Sequence, residues 1–350
     1  GAYEFNRYRK SSTRDRARLV LPEGVNGVAV SRAAKAVFLA RDMVNTPAND
    51  MGPAEIENAA RSVATAYGAR ISVITGQDLL KQNYPLIHAV GQASPREPRL
   101  IDIVWGDPAA PKVTLVGKGV CFDTGGLDLK PSSAMLTMKK DMGGAACMLA
   151  LGQAVMDAKL KMRLRVMLPA VENSVSGASF RPGDVYPSRK GLTVEIGNTD
   201  AEGRLILADA LAEADTEKPE LLLCMATLTG AARAATGMEL PPFFTDDEKL
   251  AADLMRHGTA EHDPLWRLPL WRSYESTVDG NIADLNNAPE YGLAGAITAA
   301  LFLNRFVTVP GFAHFDIPAW IDRPKPGRRK GAEASAVRTL LALLSERYPA

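Results

Sequence analysis

The chain contains 350 residues, of which 46% are hydrophobic and 23% charged, and its formal net charge is +1. This length suits one large or two medium domains, and the near-neutral balance gives no overall attraction to nucleic acid or membranes. No apolar run approaches the roughly 18 residues of a membrane span, so we expect no membrane partner.

Three cysteines, Cys121, Cys147 and Cys224, lie in apolar contexts and form no CxxC pair. An odd number without such a pair argues against a disulfide framework and against a thiolate metal site. We therefore predict buried free thiols and a cytoplasmic location.

Residues 1–35 are expected to form a linker, and residues 36–350 a single larger domain. The linker is basic through the side chains of Arg7, Arg9, Lys10, Arg14, Arg16 and Arg18. Such a segment is either a solvated connector or an arm for nucleic acid; connectors are far more common, so we expect no nucleic-acid partner.

Apolar spacing predicts helices over residues 31–44 and 53–67, with Pro53 in the first turn of the second. Apolar runs at residues 70–74, 100–105 and 113–116 are typical of strands, and helical or glycine-bearing stretches separate them. This alternation predicts an α/β fold with a mostly parallel or mixed central sheet flanked by helices.

Ionisable side chains follow the strand at residues 113–116, among glycines. They include Lys118, Asp123, Lys130 and Asp141, and an apolar helix is predicted directly afterwards at residues 143–160. The carboxyl ends of parallel strands are where open α/β sheets place their ligands, so we expect a site here. A buried strand at residues 164–168 and a loop at residues 172–186 follow.

A second polar stretch, NTDAEGR at residues 198–204, comes after a predicted strand at residues 192–196. Alternate residues of an extended segment point to one side, which would bring Asp200, Glu202 and Arg204 into one space. Two neighbouring carboxylates need a cation between them, either Arg204 or a metal ion.

The remaining chain alternates in the same way. Helices are predicted at residues 205–214, 294–306 and 334–344, and strands at residues 221–227 and 312–317. A polar loop is predicted at residues 279–287 and an exposed loop at residues 323–330. The strand at residues 312–317 is predicted to be the last.

These motifs resemble the leucyl aminopeptidase family of dinuclear metallopeptidases, for which NTDAEGR at residues 198–204 is the signature; NTPAN at residues 45–49 also matches. The resemblance implies a metallopeptidase catalytic domain over residues 36–350, without the family's smaller first domain, and a homo-hexamer. It implies a metal-dependent aminopeptidase that cleaves short peptides, with an apolar P1 residue such as leucine, through a hydroxide activated by two metal ions.

The resemblance also implies the ligands of two divalent cations. Asp123, Asp200 and Glu202 would hold one, and Lys118, Asp123, Asp141 and Glu202 the other. Oxygen donors suit Mn²⁺, Mg²⁺ or Zn²⁺, and we expect Mn²⁺ or Zn²⁺. Lys118 would have to bind as a neutral amine; its alternative is an ion pair with a carboxylate.

The same resemblance assigns the chemistry. Lys130 would polarise the scissile carbonyl, and Arg204 would bind a bicarbonate ion as general base. Substrate-binding positions are expected at Met138, Asn198, Thr227, Leu228 and Gly230. Asp128, Lys139 and Lys140 match no functional position and are expected at the surface, whereas Trp320 would either narrow the P1 pocket or pack in the core.

Two alternatives remain. A two-metal phosphoesterase would use similar ions but usually includes histidine ligands. A DNA-binding role, which some bacterial members of the family have in addition, would depend on the basic segments at residues 7–18 and 323–330.

Overall fold

A computed structural model describes residues 3–10, 20–326 and 328–350. Arg14, Arg16 and Arg18 of the predicted basic linker therefore lie outside the described residues. Its first part packs on the chain that follows: the Tyr3 hydroxyl donates to Asp42 Oδ1 at 2.8 Å, and the Tyr3 and Phe38 ring centroids lie 5.3 Å apart.

The α-helices are α1 Gly27–Asn45, α2 Pro53–Tyr67, α3 Asp78–Lys81, α4 Pro85–Gly91, α5 Ser132–Met135, α6 Gly143–Ala158, α7 Glu202–Thr216, α8 Gly230–Thr236, α9 Glu248–Ala260, α10 Gly295–Asn304 and α11 Val337–Arg347. Short 3₁₀ helices span Ala48–Asp50, Met138–Met142 and Arg272–Val278. Every predicted helix is found. Pro53 opens α2 as expected, because its missing N–H falls where a helix has no partner for it.

The strands are β1 Arg70–Thr75, β2 Arg99–Trp105, β3 Lys112–Gly117, β4 Gly119–Asp123, β5 Arg163–Asn173, β6 Val185–Pro187, β7 Thr193–Glu195, β8 Leu221–Ala226, β9 Pro242–Phe244, β10 Trp266–Arg267, β11 Leu285–Asn286, β12 Phe312–Asp316, β13 Trp320–Ile321 and β14 Gly331–Ala332. The strand predicted at residues 312–317 is therefore not the last, since β13 and β14 form a further antiparallel pair.

The main sheet is mixed, which confirms the predicted fold class. Its strands follow the order β1-β2-β5-β3-β8-β12-β9-β10, and β4 also pairs with β5. The centre (β5, β3, β8, β12) is parallel, but β1, β2 and β5 pair antiparallel, as do β12 and β9. The apolar pattern did not predict which strands are antiparallel, because apolar periodicity reports which residues are buried and not the direction of a strand.

Helices cover both faces of this sheet. One apolar cluster joins α1, α2, α6 and α11 to the sheet, and the other joins α4, α7 and α10 to its opposite face. In β8 the side chains alternate between the two clusters: Leu221 and Leu223 belong to the first, Leu222 and Cys224 to the second. A strand buried on both faces needs such a continuous apolar run.

Two local features place the functional side chains. Strands β3 and β4 both pair with β5, and the chain is interrupted between them at Lys118, whose N–H donates to Met225 O at 3.0 Å. Helix α6 approaches this break closely, because a Cβ on Gly144 would lie only 2.1 Å from Met225 O. Glycine is required there by space rather than by backbone conformation.

The strand predicted at residues 192–196 does not belong to the main sheet. It is β7, which lies between β6 and β11 in a separate three-stranded sheet. Across the described residues, no helix combines the length and apolar character needed to cross a bilayer.

Candidate metal centre and substrate cleft

Lys118 occupies the break between β3 and β4. Its ammonium contacts Asp141 Oδ2 at 2.7 Å and Glu202 Oε1 at 2.8 Å, and donates to Thr227 O at 3.1 Å. The side chain passes so close to α7 that a Cβ on Gly203 would lie 2.6 Å from Lys118 Cε. Gly203, in the NTDAEGR stretch, therefore leaves room for the side chain of Lys118.

Three buried carboxylates from distant parts of the chain meet beside this lysine. Asp123 ends β4, Asp141 lies in the 3₁₀ turn before α6, and Glu202 is the first residue of α7. One oxygen of each lies within 4.8 Å of the others, and the residues are 1–3% exposed. The sequence correctly predicted that the polar stretch after residues 113–116 and the NTDAEGR stretch come together.

Asp200 and Lys130 lie at the edge of this group. The Lys130 ammonium contacts Asp123 Oδ2 at 2.8 Å and also contacts Asp200 Oδ1. Asp200 is the more accessible carboxylate, with its side chain 33% exposed. Lys130 thus bridges the two motifs.

The expected geometry of residues 200–204 was wrong in one respect. Glu202 and Arg204 lie in the first turn of α7 and not on an extended strand. A carboxylate at a helix N-terminus interacts favourably with the helix dipole and the unpaired N–H groups. The direction of the Glu202 and Arg204 side chains is therefore set by the first turn of α7 and not by alternation along a strand.

The charges of the cluster are strongly coupled. Burial, together with the neighbouring carboxylate of Asp123, raises the pKa of Glu202 to about 8, although the Lys118 ammonium acts to lower it. Burial likewise raises the pKa of Asp123 to about 6. Although burial favours a neutral amine at Lys118, the carboxylates of Asp141, Glu202 and Asp123 outweigh it and raise its pKa above the ordinary lysine value.

The cluster fits a divalent cation. Glu202 Oε2 is buried and has no hydrogen-bond partner among the described residues. An unpaired carboxylate oxygen in the interior is costly, and a metal ion is one of the few partners that relieve it. Oxygen donors from carboxylates are those that Mn²⁺ prefers, and Zn²⁺ accepts them as well.

Arg204 lies beneath the cleft. Its Nη1 donates to Asn287 O at 2.6 Å, and its guanidinium carbon lies 6.0 Å from the Phe302 ring centroid. Burial lowers the pKa of Arg204 to about 10, which still leaves it charged at neutral pH. Its Nε has no hydrogen-bond partner in the described part of the chain, so the guanidinium retains capacity for an anion.

The cluster opens into a cleft with a volume of about 660 Å³. The five predicted substrate-binding residues all border it: Met138, Asn198, Thr227, Leu228 and Gly230. Thr227 is held in place because its hydroxyl donates to Asp141 Oδ1 at 2.8 Å.

Three buried polar residues that support the cleft were missed from the sequence. Asn173 donates to Asp123 Oδ1 at 2.8 Å and to Thr199 O at 3.2 Å. Asn287 accepts from Gly197 N at 2.8 Å, and Asp316 accepts from Leu228 N at 3.0 Å. Each lies at or just beyond the end of a strand, but no local pattern distinguishes them from ordinary turn residues.

The expectation of surface positions was wrong for Lys140. It is 5% exposed and borders the cleft, and burial lowers its pKa to about 8. Lys139 is half-buried, donating to Asn45 O at 2.6 Å, whereas Asp128 is exposed as predicted. Asp128 nevertheless links its own segment to the NTDAEGR stretch, since its carboxylate accepts from Thr199 N at 2.7 Å.

Trp320 packs against the first core cluster, and the Lys139 ammonium lies 5.9 Å from its ring centroid. The side chain that borders the cleft from this region is Ile317. The structure therefore favours the packing role of Trp320 over a role in the P1 pocket.

Comparisons with known proteins agree with this geometry. The model of the cytosol aminopeptidase family, catalytic domain, matches residues 38–341. A probable cytosol aminopeptidase of Roseiflexus castenholzii is 40% identical over 363 residues, covering 99% of this chain and 74% of its own length. Peptidase B of Enterobacter sp. (strain 638) is 42% identical over 316 residues, with 87% and 74% covered.

Solved structures are similar over the same extent. The cytosol aminopeptidase of Coxiella burnetii superposes with a TM-score of 0.95 at 50% identity, covering 99% of this chain and 75% of that one. The bottromycin maturation enzyme BotP in complex with Mn superposes with a TM-score of 0.92 at 36% identity, covering 99% and 77%.

Proposed function

Because the chain belongs to the cytosol aminopeptidase family, we propose that it removes apolar N-terminal residues such as leucine from short peptides. Membership confirms the predicted resemblance to leucyl aminopeptidases, and with it a metal-dependent aminopeptidase activity. The observation that carries the finer proposal is the group of three buried carboxylates, Asp123, Asp141 and Glu202, at the floor of the cleft.

Two divalent cations are proposed for this group. Asp123, Asp200 and Glu202 would hold one, and Lys118, Asp123, Asp141 and Glu202 the other, so that Asp123 and Glu202 bridge them. Such ions polarise a carbonyl oxygen and lower the pKa of a coordinated water. Manganese is supported by the Mn complex of BotP, and zinc remains a second candidate.

The chain's own cations would complete the chemistry. Lys130 borders the cleft between Asp123 and Asp200, where it can donate to the carbonyl oxygen of the scissile peptide as negative charge develops. Arg204 would hold a bicarbonate ion, which can act as a general base. This is needed because the carboxylates of the cluster would be occupied by metal.

Met138, Leu228 and Ile317 border the same cleft and supply the apolar surface for a leucine side chain. Asn198 would hold the substrate-binding loop in place, because its Oδ1 accepts from Asp200 N at 2.7 Å. Thr227 and Gly230 complete the substrate-binding positions.

We also propose a homo-hexamer and a cytoplasmic location. Two leucines at the cleft are exposed, Leu129 by 60% and Leu293 by 67%, and such apolar side chains suit a surface that contacts other subunits. The three cysteines are buried free thiols, in keeping with a reducing compartment. Native mass spectrometry would show six copies of the 37.5 kDa chain.

The test is hydrolysis of leucine p-nitroanilide by the Mn²⁺-loaded protein, with loss of activity on chelation. The Glu202→Ala variant should lose both metal ions, because this residue bridges them, and kcat should fall by about 100-fold or more. Glu213→Ala, at the far end of α7, is the matched control. Two metal ions per chain in Glu202→Ala, counted by plasma mass spectrometry, would refute the bridging role.

The rival functions are tested in parallel. A two-metal phosphoesterase would hydrolyse p-nitrophenyl phosphate and leave the leucine substrate intact. A DNA-binding role would give a gel shift that weakens steeply with salt.

A further inference from the structure

A second pocket, with a volume of about 540 Å³, lies between residues 3–10, the C-terminal half of α1 and the loop that leads into β14. Among the described residues, none borders both this pocket and the substrate cleft. Small-molecule sites typically have volumes of about 300 to 1,000 Å³, so the size suits a ligand. We refer to it as the basic pocket, because six cations border it and none of the described carboxylates does: Arg9, Arg41, Lys325, Arg328, Arg329 and Lys330.

The positive charge of this lining is local. The whole chain has a formal net charge of only +1, so six cations around one pocket are a concentration of charge and not part of a generally basic surface. A pocket lined by charges of one sign attracts a ligand of the opposite sign. The chemistry of the basic pocket therefore calls for an anion.

Three guanidinium groups of the basic pocket share two carboxylates that lie behind them. Glu333 accepts from Arg41 Nη2 at 2.8 Å and from Arg328 Nη1 at 3.2 Å, so one carboxylate lies between two guanidinium groups. Arg329 Nη2 donates to Glu4 Oε1 at 2.9 Å. Arg41 Nε is buried and has no hydrogen-bond partner in the described part of the chain. The arginines are thus held beside one another with donors left over.

Two further cations have no such partner. The side chains of Lys330 and Arg9 are exposed and make neither an ion pair nor a hydrogen bond among residues 3–10, 20–326 and 328–350. Lys325 differs, because its ammonium contacts Glu239. Hydrogen bonds from lysine and arginine to phosphate oxygens are among the strong ones. Lys330 and Arg9 are therefore available to bind the phosphates of a ligand.

An exposed aromatic ring borders the same pocket. Tyr8 is 51% exposed, and its hydroxyl contacts Asp50, which anchors the ring. The ring centroid of Phe5 lies 6.0 Å from that of Tyr8, at an angle of 54°. Aromatic rings bind nucleobases by stacking, while nearby cations bind the phosphates. A nucleotide would use both features of the lining.

Hydrogen bonds fix the wall of the basic pocket. Asn45 Nδ2 donates to the Tyr3 hydroxyl at 3.0 Å, and Asn45 Oδ1 accepts from Ala332 N at 3.1 Å. One side chain of α1 therefore holds both the first described segment and β14. A site that is fixed before its ligand arrives loses less conformational freedom on binding.

We propose that the basic pocket binds a nucleoside polyphosphate, with Lys330 and Arg9 at the phosphates and the Tyr8 ring against the base. The inference goes beyond the proposed aminopeptidase function and does not rest on it. A single nucleotide suits this lining better than duplex DNA, because a duplex is bound by cations spread along its phosphates and not by cations gathered around one pocket.

The experiment titrates ATP, inorganic triphosphate and adenosine into the Mn²⁺-loaded protein by calorimetry, with Mn²⁺ in excess over the ligand. We expect ATP to bind roughly 5- to 100-fold more tightly than triphosphate, the scale of stacking on an aromatic ring. Adenosine should bind more weakly than ATP, since it lacks the phosphates. No binding of ATP up to ~1 mM would overturn the proposal. Equal affinities of ATP and triphosphate would do so too, because only charge would then be recognised.

Charge variants locate the phosphates. Lys330→Gln and Arg9→Gln should each weaken ATP binding by about 3- to 10-fold, the net contribution of one hydrogen bond. Arg323→Gln is the matched control, because Arg323 is exposed in the same loop as Lys330 and does not border the basic pocket. Equal losses in all three variants would mean that ATP responds to the overall charge, and the assignment to this pocket would be wrong.

Ring variants locate the base. Tyr8→Leu should reduce the affinity for ATP to that for triphosphate, whereas Tyr8→Phe keeps the ring and should keep the affinity. Unchanged ATP binding in Tyr8→Leu would contradict the position of the base. Melting temperatures of both variants show whether the fold is intact.

The remaining outcomes place the ligand elsewhere. If ATP competes with leucine p-nitroanilide, and does so equally in Lys330→Gln, its phosphates bind at the metal centre and the proposal is wrong. If a single-stranded oligonucleotide binds but ATP does not, the basic pocket belongs to a nucleic-acid surface and the proposal is equally wrong. Leucine hydrolysis without nucleotide reports on the aminopeptidase function separately.

Discussion

At the scale of single residues, Lys118 has two possible roles, as an ion-pair partner and as a metal ligand. Its ammonium lies between Asp141 and Glu202, with the backbone of Gly203 packed against its stem. The charged ammonium can serve as an ion-pair partner, whereas only an amine that gives up its proton can bind a metal. The two roles respond differently to arginine, which cannot be deprotonated in proteins.

We therefore expect Lys118→Arg to lower kcat for the leucine substrate by about 100-fold or more, although the charge is kept. Lys118→Met, which keeps the stem but removes the amine, should be equally inactive. Metal content and melting temperature, measured on both variants, separate a lost ligand from a misfolded chain. Near wild-type turnover of Lys118→Arg would show that the residue acts only through its charge.

Arg204 offers a second test at this scale. Loss of general-base assistance typically costs 10² to 10⁴-fold, or roughly 3 to 5 kcal/mol, so Arg204→Ala should lose rate within that range while keeping its metal ions. Bicarbonate added to carbonate-depleted enzyme should stimulate the wild type much more than the variant. If the guanidinium only anchors Asn287, bicarbonate will leave the wild-type rate unchanged and the variant will melt at a lower temperature.

At the scale of elements, α7 carries Glu202 and Arg204 at its start and is anchored further along by Asp209. This buried carboxylate accepts from Leu86 N at 2.8 Å and Ile87 N at 3.3 Å, in the first turn of α4, and from Arg189 N at 2.8 Å. One side chain thus ties the site-bearing helix to its neighbour.

Asp209→Ala should lower the free energy of unfolding by about 2 to 3 kcal/mol, because three backbone N–H groups lose their acceptor. Glu213→Ala on the same helix removes only ion pairs with Arg165 and Arg189 and should cost at most about 1 kcal/mol. Urea denaturation of both variants gives the comparison. Equal losses would mean that Asp209 contributes no more than its partly exposed neighbour.

The same residue predicts a pH dependence. Burial raises the pKa of Asp209 to about 7, whereas an aspartate in an unfolded chain titrates near about 3.9. Between these values the folded protein binds the proton more tightly, so the contribution of this carboxyl to stability falls as the pH rises from about 4 to 7. The deficit of Asp209→Ala should therefore be larger at pH ~5 than at pH ~8.

At the scale of the whole molecule, metal binding and protonation are coupled. Burial raises the pKa of Glu202, and the surrounding carboxylates raise the pKa of Lys118, so both groups hold a proton more tightly than they would in water. A divalent cation must displace these protons, so the affinity for Mn²⁺ should weaken as the pH falls.

We expect the chelator-treated protein to release about one to two protons per chain when Mn²⁺ is added at pH ~7. Titration calorimetry in buffers of different ionisation enthalpy measures this number. Glu202→Gln is the control for its share of the released protons, provided that the variant still binds Mn²⁺. Enthalpies that do not depend on the buffer would contradict the coupling.

Much of the site was predictable because its signals are local. Glycines and ionisable residues after the apolar strand at residues 113–116, and the NTDAEGR stretch, predicted that Lys118, Asp123, Asp141 and Glu202 would meet, and they do. The bounds of α2 were predicted to the residue, because Pro53 and Gly68 mark its ends chemically.

Other features depend on residues far apart in the chain. Strand pairing sets the direction of β1 against β2 and places β7 in a separate sheet. An apolar pattern records only that a strand is buried.

Lys140 was expected at the surface, because a lysine usually is. In the fold it lies buried in the wall of the cleft, without an ion pair among the described residues. The sequence by itself determined the family, the helices and the metal-binding motifs, since these depend on neighbours along the chain. The tertiary structure alone decided which charges are left without a partner, because burial and pairing depend on neighbours in space.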